Sequence, residues 1–507
     1  MKKLFTLLLI VTTAVATFAT DYNVPITITV NGVSSEQKAV ISVTENGGLY
    51  DINLKNFILQ AGNTPTGVGN VELKGIKPIQ DGNATLLLAK QNVKITEGDD
   101  PNVSMWMGTM IGEIPVELRG KIEGDRLRCY LDIALNEQQV IKVAIGNGYQ
   151  IANQSFENWH TSIDSYKEPN AWHSFETATG GDLAKAAGHH IEPSTDAHSG
   201  STSARIFATG MDFGFFIKVI ANGTMTTGRM NAASALADDA TGNYAYADMS
   251  MDDLDGNKDP YYTPLCSKPD SIAAWVKFKQ GTPNAQHPYA TISAAITDGT
   301  FYQDPEVKTS TNVVAKAKNN EIATTGGEWK RISIPFEYTQ NTVDPKAILV
   351  TISTNADAGQ GSDKDEVLVD DIELIYNAKV TGLKIKGQKV SDFKADQTEY
   401  TMELNEVITA DDIEATVEGK AAHIIKQVEQ TEGGYACTIQ AIGGDMKTTT
   451  SYVVNVKSNA TGIDMAPRTN AVTNNENSWY TLDGRHLNGK PTAKGIYIHN
   501  NVKAVVK

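Results

Sequence analysis

Apolar residues recur at every second position in run after run of this chain, and that spacing restricts it to strands. Val24-Pro25-Ile26-Thr27-Ile28-Thr29-Val30 is the first run, closed by an Asn31-Gly32 turn. Tyr50, Ile52 and Leu54 alternate with Asp51, Asn53 and Lys55. Val116, Leu118 and Ile122 alternate with Glu117 and Arg119, and Leu127, Cys129, Leu131 and Ile133 repeat the pattern after Gly124-Asp125. Successive strand side chains face opposite ways, so each run offers one face for burial and one for water. The expectation is an all-β protein. At 507 residues the chain has room for three or four separate cores.

Residues 1–19 read as an export signal. Lys2 and Lys3 form a basic end, Leu4 to Ala16 is an apolar run too short to span a bilayer, and small residues suit cleavage after Ala19. No Cys lies near that point, so a lipoprotein anchor is not supported. No later stretch reads as a transmembrane helix, and a soluble, exported mature protein is expected: cell-surface, extracellular or periplasmic. A net charge of -16 disfavours nucleic acid and suits neutral ligands such as glycans. Cys129, Cys266 and Cys437 fall in different units, which argues against a bridge within any unit. All three read as small buried apolar residues.

Residues 20–147 have the strand number of a small closed barrel, because closure removes exposed edges. They resemble calycin-like β-barrel domains of Bacteroidetes exported proteins, with a lumen expected to be filled by side chains. Residues 148–377 carry, in order, SFENW (155–159), HSGSTSARI (198–206), AAWVKFK (273–279), GEWKRISIPFEY (327–338) and VLVDDIELIY (367–376). This series resembles carbohydrate-binding jelly rolls, and more closely the provisionally named carbohydrate metabolism domain of Bacteroidetes surface proteins. Trp275 and Trp329 lie in alternating segments and are expected to face the sandwich core. Residues 378–458 resemble a cadherin- or immunoglobulin-like β-sandwich, with Phe393 and Tyr400 as core aromatics. Residues 459–477 read as a polar linker. Residues 478–507 form a short hairpin pattern similar to C-terminal sorting segments, which implies contact with outer-membrane export or attachment machinery.

The jelly-roll resemblance implies that opening and closing strands lie side by side. Glu157 with Asp370 or Asp371 would then offer hard oxygen ligands to a structural calcium, completed by carbonyls near Gly200. Successive strand residues diverge, so only one of the two aspartates can point into such a site. A further acidic stretch, Asp252 to Asp259, lacks EF-hand spacing and reads as a solvated turn. Loop aromatics Trp159, Tyr166, Trp172, Tyr261 and Tyr262 are the candidate sugar-stacking residues; Tyr244 and Tyr246 lie in the same kind of stretch. Phe213, Phe215 and Phe216 read as strand core. His160, His173, His189, His190 and His198 read as exposed loop residues rather than a zinc set. Glu157, Glu176, Glu192, Asp196 and Asp212 could supply the paired carboxylates of glycoside hydrolysis, but no catalytic motif accompanies them. The expected function is non-catalytic glycan binding. The alternatives are a glycoside hydrolase or polysaccharide lyase, and a structural adhesion protein.

Overall fold

The computed structural model describes residues 18–30, 33–61, 64–136, 139–162, 165–212, 218–339, 343–458, 479–481, 486–487, 489–499 and 502–506. The export signal up to residue 17, the Asn31-Gly32 turn, the Phe213–Phe216 aromatics and the linker lie outside them. The all-β expectation holds: nearly every element is a strand. Among the described residues, no helix is long and apolar enough to cross a membrane.

The first unit is one nine-stranded sheet. Its order runs Thr64–Ile76, Leu49–Ala61, Val33–Asn46, Phe18–Val30, Gln139–Ile145, Arg126–Asn136, Glu113–Glu123, Ala84–Lys94, Pro78–Asp81. The sheet curls until its two halves meet. Asn70 and Thr96 exchange backbone hydrogen bonds of 2.8 and 3.2 Å. The Gln91 amide accepts from Lys74 N at 3.2 Å and donates to Lys74 O at 2.7 Å. Among the described residues the seam is two isolated bridges, Asn70 with Thr96 and Gly67 with Trp106, tied by the side chains of Gln91 and Asn70, where a closed ladder was expected. Gly69 permits this approach: a Cβ there would sit 2.2 Å from Thr96 O. Ile26, Ile41, Leu73, Leu87, Val116 and Cys129 fill the interior. Each such apolar side chain contributes roughly 1.5–3 kcal/mol on burial.

The central unit is a sandwich. One sheet orders Ile191–Ser194, Ser203–Phe207, Glu366–Ile375, Ser271–Lys279 and Lys330–Pro335. The other orders Thr224–Thr226, Ala347–Ser353, Ala290–Thr297, Val313–Ile322 and Glu337–Tyr338, with Thr263–Pro264 also on Ala347–Ser353. Phe156, Trp172, Ile206, Val276, Phe278, Ile296, Ile352 and Val369 belong to their shared core. Trp275 and Trp329 do not. Ile272, Ala274, Val276 and Phe278 point inward, and the opposite parity sends Trp275 outward. There it stacks on His198 at 3.8 Å, while Trp329 donates to Asp196 at 3.2 Å. Entry and exit of this unit lie together. Gln150 Nε2 donates to Leu374 O at 2.7 Å, Leu374 N donates to Gln150 Oε1 at 2.8 Å, and the Tyr376 hydroxyl donates to Tyr149 O at 2.9 Å.

The third unit packs a three-stranded sheet on a four-stranded one. Tyr400 is buried and Phe393 half-buried against it, stacked at 5.0 Å. This unit docks on the outside of the curled sheet. Arg119 Nε donates to Met446 O at 3.0 Å and Arg128 Nε to Asp445 O at 2.9 Å. Leu86 and Tyr130 pack there against Ile425, Ile442 and Met446. At the C-terminus, the expected hairpin Gly495–His499/Val502–Val506 is half of a four-stranded sheet that also holds Trp479–Tyr480 and His486–Leu487. Cys129 and Cys437 are buried, but Cys266 is only half-buried, and all three thiols are free.

Candidate functional site

The two segments that bracket the central unit come together through the 198–202 loop and not as the paired strands expected, because Glu366–Ile375 pairs with Ser203–Phe207 and Ser271–Lys279 instead. Glu157 accepts from Ser201 N at 2.8 Å, Ser201 Oγ at 2.5 Å and Thr202 N at 3.0 Å. These donors hold its carboxyl below the usual range despite partial burial, which opposes them. Asp370 accepts from His198 N at 2.8 Å, Ser199 N at 3.2 Å and Asp371 N at 2.8 Å. Asp371 accepts from Ser199 Oγ at 2.8 Å and lies 2.7 Å from His198 Nδ1. Burial, then the neighbouring Asp371 charge, pushes the Asp370 carboxyl up to about 6. Calcium needs free oxygen lone pairs. Here three donors engage Glu157 and three engage Asp370, so the carboxylates act as a clamp on the loop.

The five aromatic candidates do not converge. Trp172 is fully buried against Phe156, with ring centres 5.3 Å apart. Tyr261 is buried between His173 and Arg229. Neither offers a face to a ligand. Trp159 packs half-buried on the core and donates to Phe156 O at 2.6 Å. Tyr262 packs half-buried in a smaller cluster with Met230 and Tyr302. Tyr166 alone of the five is exposed, stacked on His189 at 4.1 Å. Polar sequence neighbours suggested loops at the surface; long-range packing buries the rings instead.

The concavity lies elsewhere, on the open face of the six-stranded sheet. It is a cleft of about 290 Å³. Ile292, Ala294, Val350 and Ile352 point into the core, so the opposite parity lines the cleft floor with Thr291, Ser293, Thr351 and Ser353. Register aligns them in rows. Ser293 sits opposite Thr351 on one side and Lys318 on the other, and Thr291 sits opposite Ser353. Ser293 Oγ donates to Asp304 Oδ2 at 2.6 Å, and Thr224 Oγ1 donates to Ser353 Oγ at 3.3 Å. Tyr244 forms part of the wall, together with Asn231, Asn243 and apolar Phe175, Leu183 and Met211. Burial and the nearby Tyr246 hold the Tyr244 phenol above its ordinary value. The sequence signal for this floor is Thr and Ser at one parity of two otherwise apolar runs.

No family model and no curated protein matches the chain. Among solved structures, a provisionally assigned glycoside hydrolase from Bacteroides thetaiotaomicron superposes with a TM-score of 0.34 at 14% identity, covering 63% of this chain and 99% of that one. The catalytic domain of ZmpB from Clostridium perfringens, with its two carbohydrate-binding modules, gives 0.16 at 11%, covering 92% and 41%. A tandem of carbohydrate-binding modules from Paenibacillus barcinonensis Xyn10C gives 0.20 at 10%, covering 70% and 92%. At these scores the superpositions carry no argument about this chain, and its function is read from its own residues.

Proposed function

We propose that this chain is a non-catalytic glycan-binding protein and that the cleft over the six-stranded sheet seats the saccharide. The observation that supports it is the floor itself. Aligned hydroxyls, amides and one ammonium group match the alternating donors and acceptors of a sugar, and Tyr244 with Phe175 and Met211 supplies apolar area for ring C–H groups. Glycoside hydrolysis needs two carboxylates across the scissile bond. Among the described residues lining the cleft, Asp304 is the single carboxylate, and Ser293 engages one of its oxygens. That balance favours binding over hydrolysis. The export reading of residues 1–19 and the sorting-like tail belong to the same proposal, which has the protein act outside the cytoplasm.

The test is a glycan array with the full chain, followed by titration of any hit against Ser293→Trp. Indole on the open face fills the cleft and leaves the core untouched. Affinity is expected to fall about tenfold or more with an unchanged melting temperature. Undiminished binding would move the seat elsewhere on the molecule. Release of reducing ends from the panel would make the protein an enzyme. Retention of no glycan, together with adhesion to surfaces, would make it structural.

A further inference from the structure

Separate segments bring ligand atoms together beneath the turn between Leu254 and Pro260. His160 sits on Trp159–Thr161, whose pairing with Lys167–Pro169 sets it opposite Glu168. His173 is fixed by backbone hydrogen bonds to and from Thr226, at 2.8 and 3.0 Å. Asp255 was expected on a solvated turn, yet its side chain is 0% exposed. His160 Nε2 lies 3.6 Å, and His173 Nε2 3.3 Å, from Asp255 Oδ2. Ligands bound tetrahedrally at ~2.0–2.1 Å from zinc lie about 3.3–3.4 Å from one another.

The inward atoms have no hydrogen-bond partner: His160 Nε2, both ring nitrogens of His173, Asp255 Oδ2 and Glu168 Oε2. His173 and Glu168 are 0% exposed. Buried polar groups left this way are rare. The outward atoms, by contrast, are held. Asp255 Oδ1 accepts from Asn257 N at 2.9 Å and Asp259 N at 2.7 Å. Glu168 Oε1 accepts from Ser174 N at 2.8 Å and Ser174 Oγ at 2.5 Å. His160 Nδ1 lies 3.2 Å from Asn170 Oδ1. Side chains oriented from behind, with the inward atom left bare, are the arrangement of a metal's ligands. His160, Asp255 and Asp259 each bring a ligand atom within 4.8 Å of the other two, and His173 joins them through its 3.3 Å approach to Asp255.

We propose that His160, His173 and Asp255 hold a divalent ion of the zinc class, with Glu168 and Asp259 beside it. Two imidazoles and a carboxylate suit zinc, whereas calcium and magnesium prefer oxygen alone. The site is closed to solvent, so the ion's role is structural: it staples the 252–260 turn to the 159–173 segment in a protein whose cysteines are all unpaired.

The full chain is incubated with zinc chloride, dialysed and analysed for metal. A parallel sample takes cobalt(II), whose visible bands report coordination. About one zinc per chain and tetrahedral nitrogen–oxygen cobalt bands are expected. His160→Gln and Asp255→Asn should each weaken cobalt binding about 100-fold, while His287→Gln leaves it unchanged. Absence of retained metal, octahedral bands, or tetrahedral bands that survive either ligand substitution would overturn the proposal. Should a ligand variant fail to fold, the wild-type spectrum alone decides.

Discussion

Two acidic clusters in the central unit solve the same problem in opposite ways. Glu157, Asp370 and Asp371 turn their oxygens toward N–H and O–H donors of the 198–202 loop. Asp255 meets donors on one oxygen only and leaves the other facing two imidazole nitrogens without a hydrogen bond. The cluster that carries the family-like motif is a clamp. The cluster whose sequence is that of a surface turn is a buried, electron-rich pocket. Carboxylates close together in space do not by themselves make a cation site. Whether their lone pairs are already occupied decides it.

That contrast can be broken by measurement. His173→Ala removes a fully buried ring and a proposed ligand, and should cost about 3–5 kcal/mol in urea unfolding. Zinc should raise the wild-type midpoint and leave the variant's unchanged. On the clamp side, Gly200→Ala should cost about 2 kcal/mol: Gly200 has φ +66°, and a Cβ would lie 2.2 Å from Glu157 Oε1. If Gly200→Ala costs more than His173→Ala, the clamp and not the pocket dominates the unit's stability.

The smallest expected effect is a pH dependence at Asp370. Its folded value of about 6 lies above the unfolded value near ~3.9. The folded state therefore holds the proton more tightly. Stability from this group is full below the unfolded value and is lost as pH rises through about 6. After solvent screening the change is of order 1 kcal/mol. The wild type should lose that much relative to Asp370→Asn between acid and neutral pH. Calcium added at neutral pH should not alter the midpoint. A calcium-dependent rise that vanishes in Asp370→Asn would restore a cation to the clamp.

The strand architecture was legible because alternation is local. Each run declares its inward face without reference to any other part of the chain. The closeness of the bracketing segments was legible, but not its form: Glu366–Ile375 pairs with Ser203–Phe207 and Ser271–Lys279, and Ser155 to Asn158 belong to no strand. The outward face of Trp275 was there to be read in its own run, where Ile272, Ala274, Val276 and Phe278 take the inward parity. Trp172, by contrast, has polar neighbours in sequence and apolar Phe156 in space, and Tyr261 is buried by His173 and Arg229 from other segments. The fate of Asp255 depends on His160 and His173, contributed by other segments, and the cleft floor depends on the register of Thr291 against Ser353. None of these relations can be read along a single run.

The Gln150–Leu374 and Tyr149–Tyr376 contacts have an architectural consequence. The largest module leaves and rejoins the chain at one doorway, while its flanking modules grip each other directly through Arg119 and Arg128. It is thus a cassette. Excising it and closing the doorway with a short linker should leave the two-module frame standing, ready to accept a different β-sandwich as a graft.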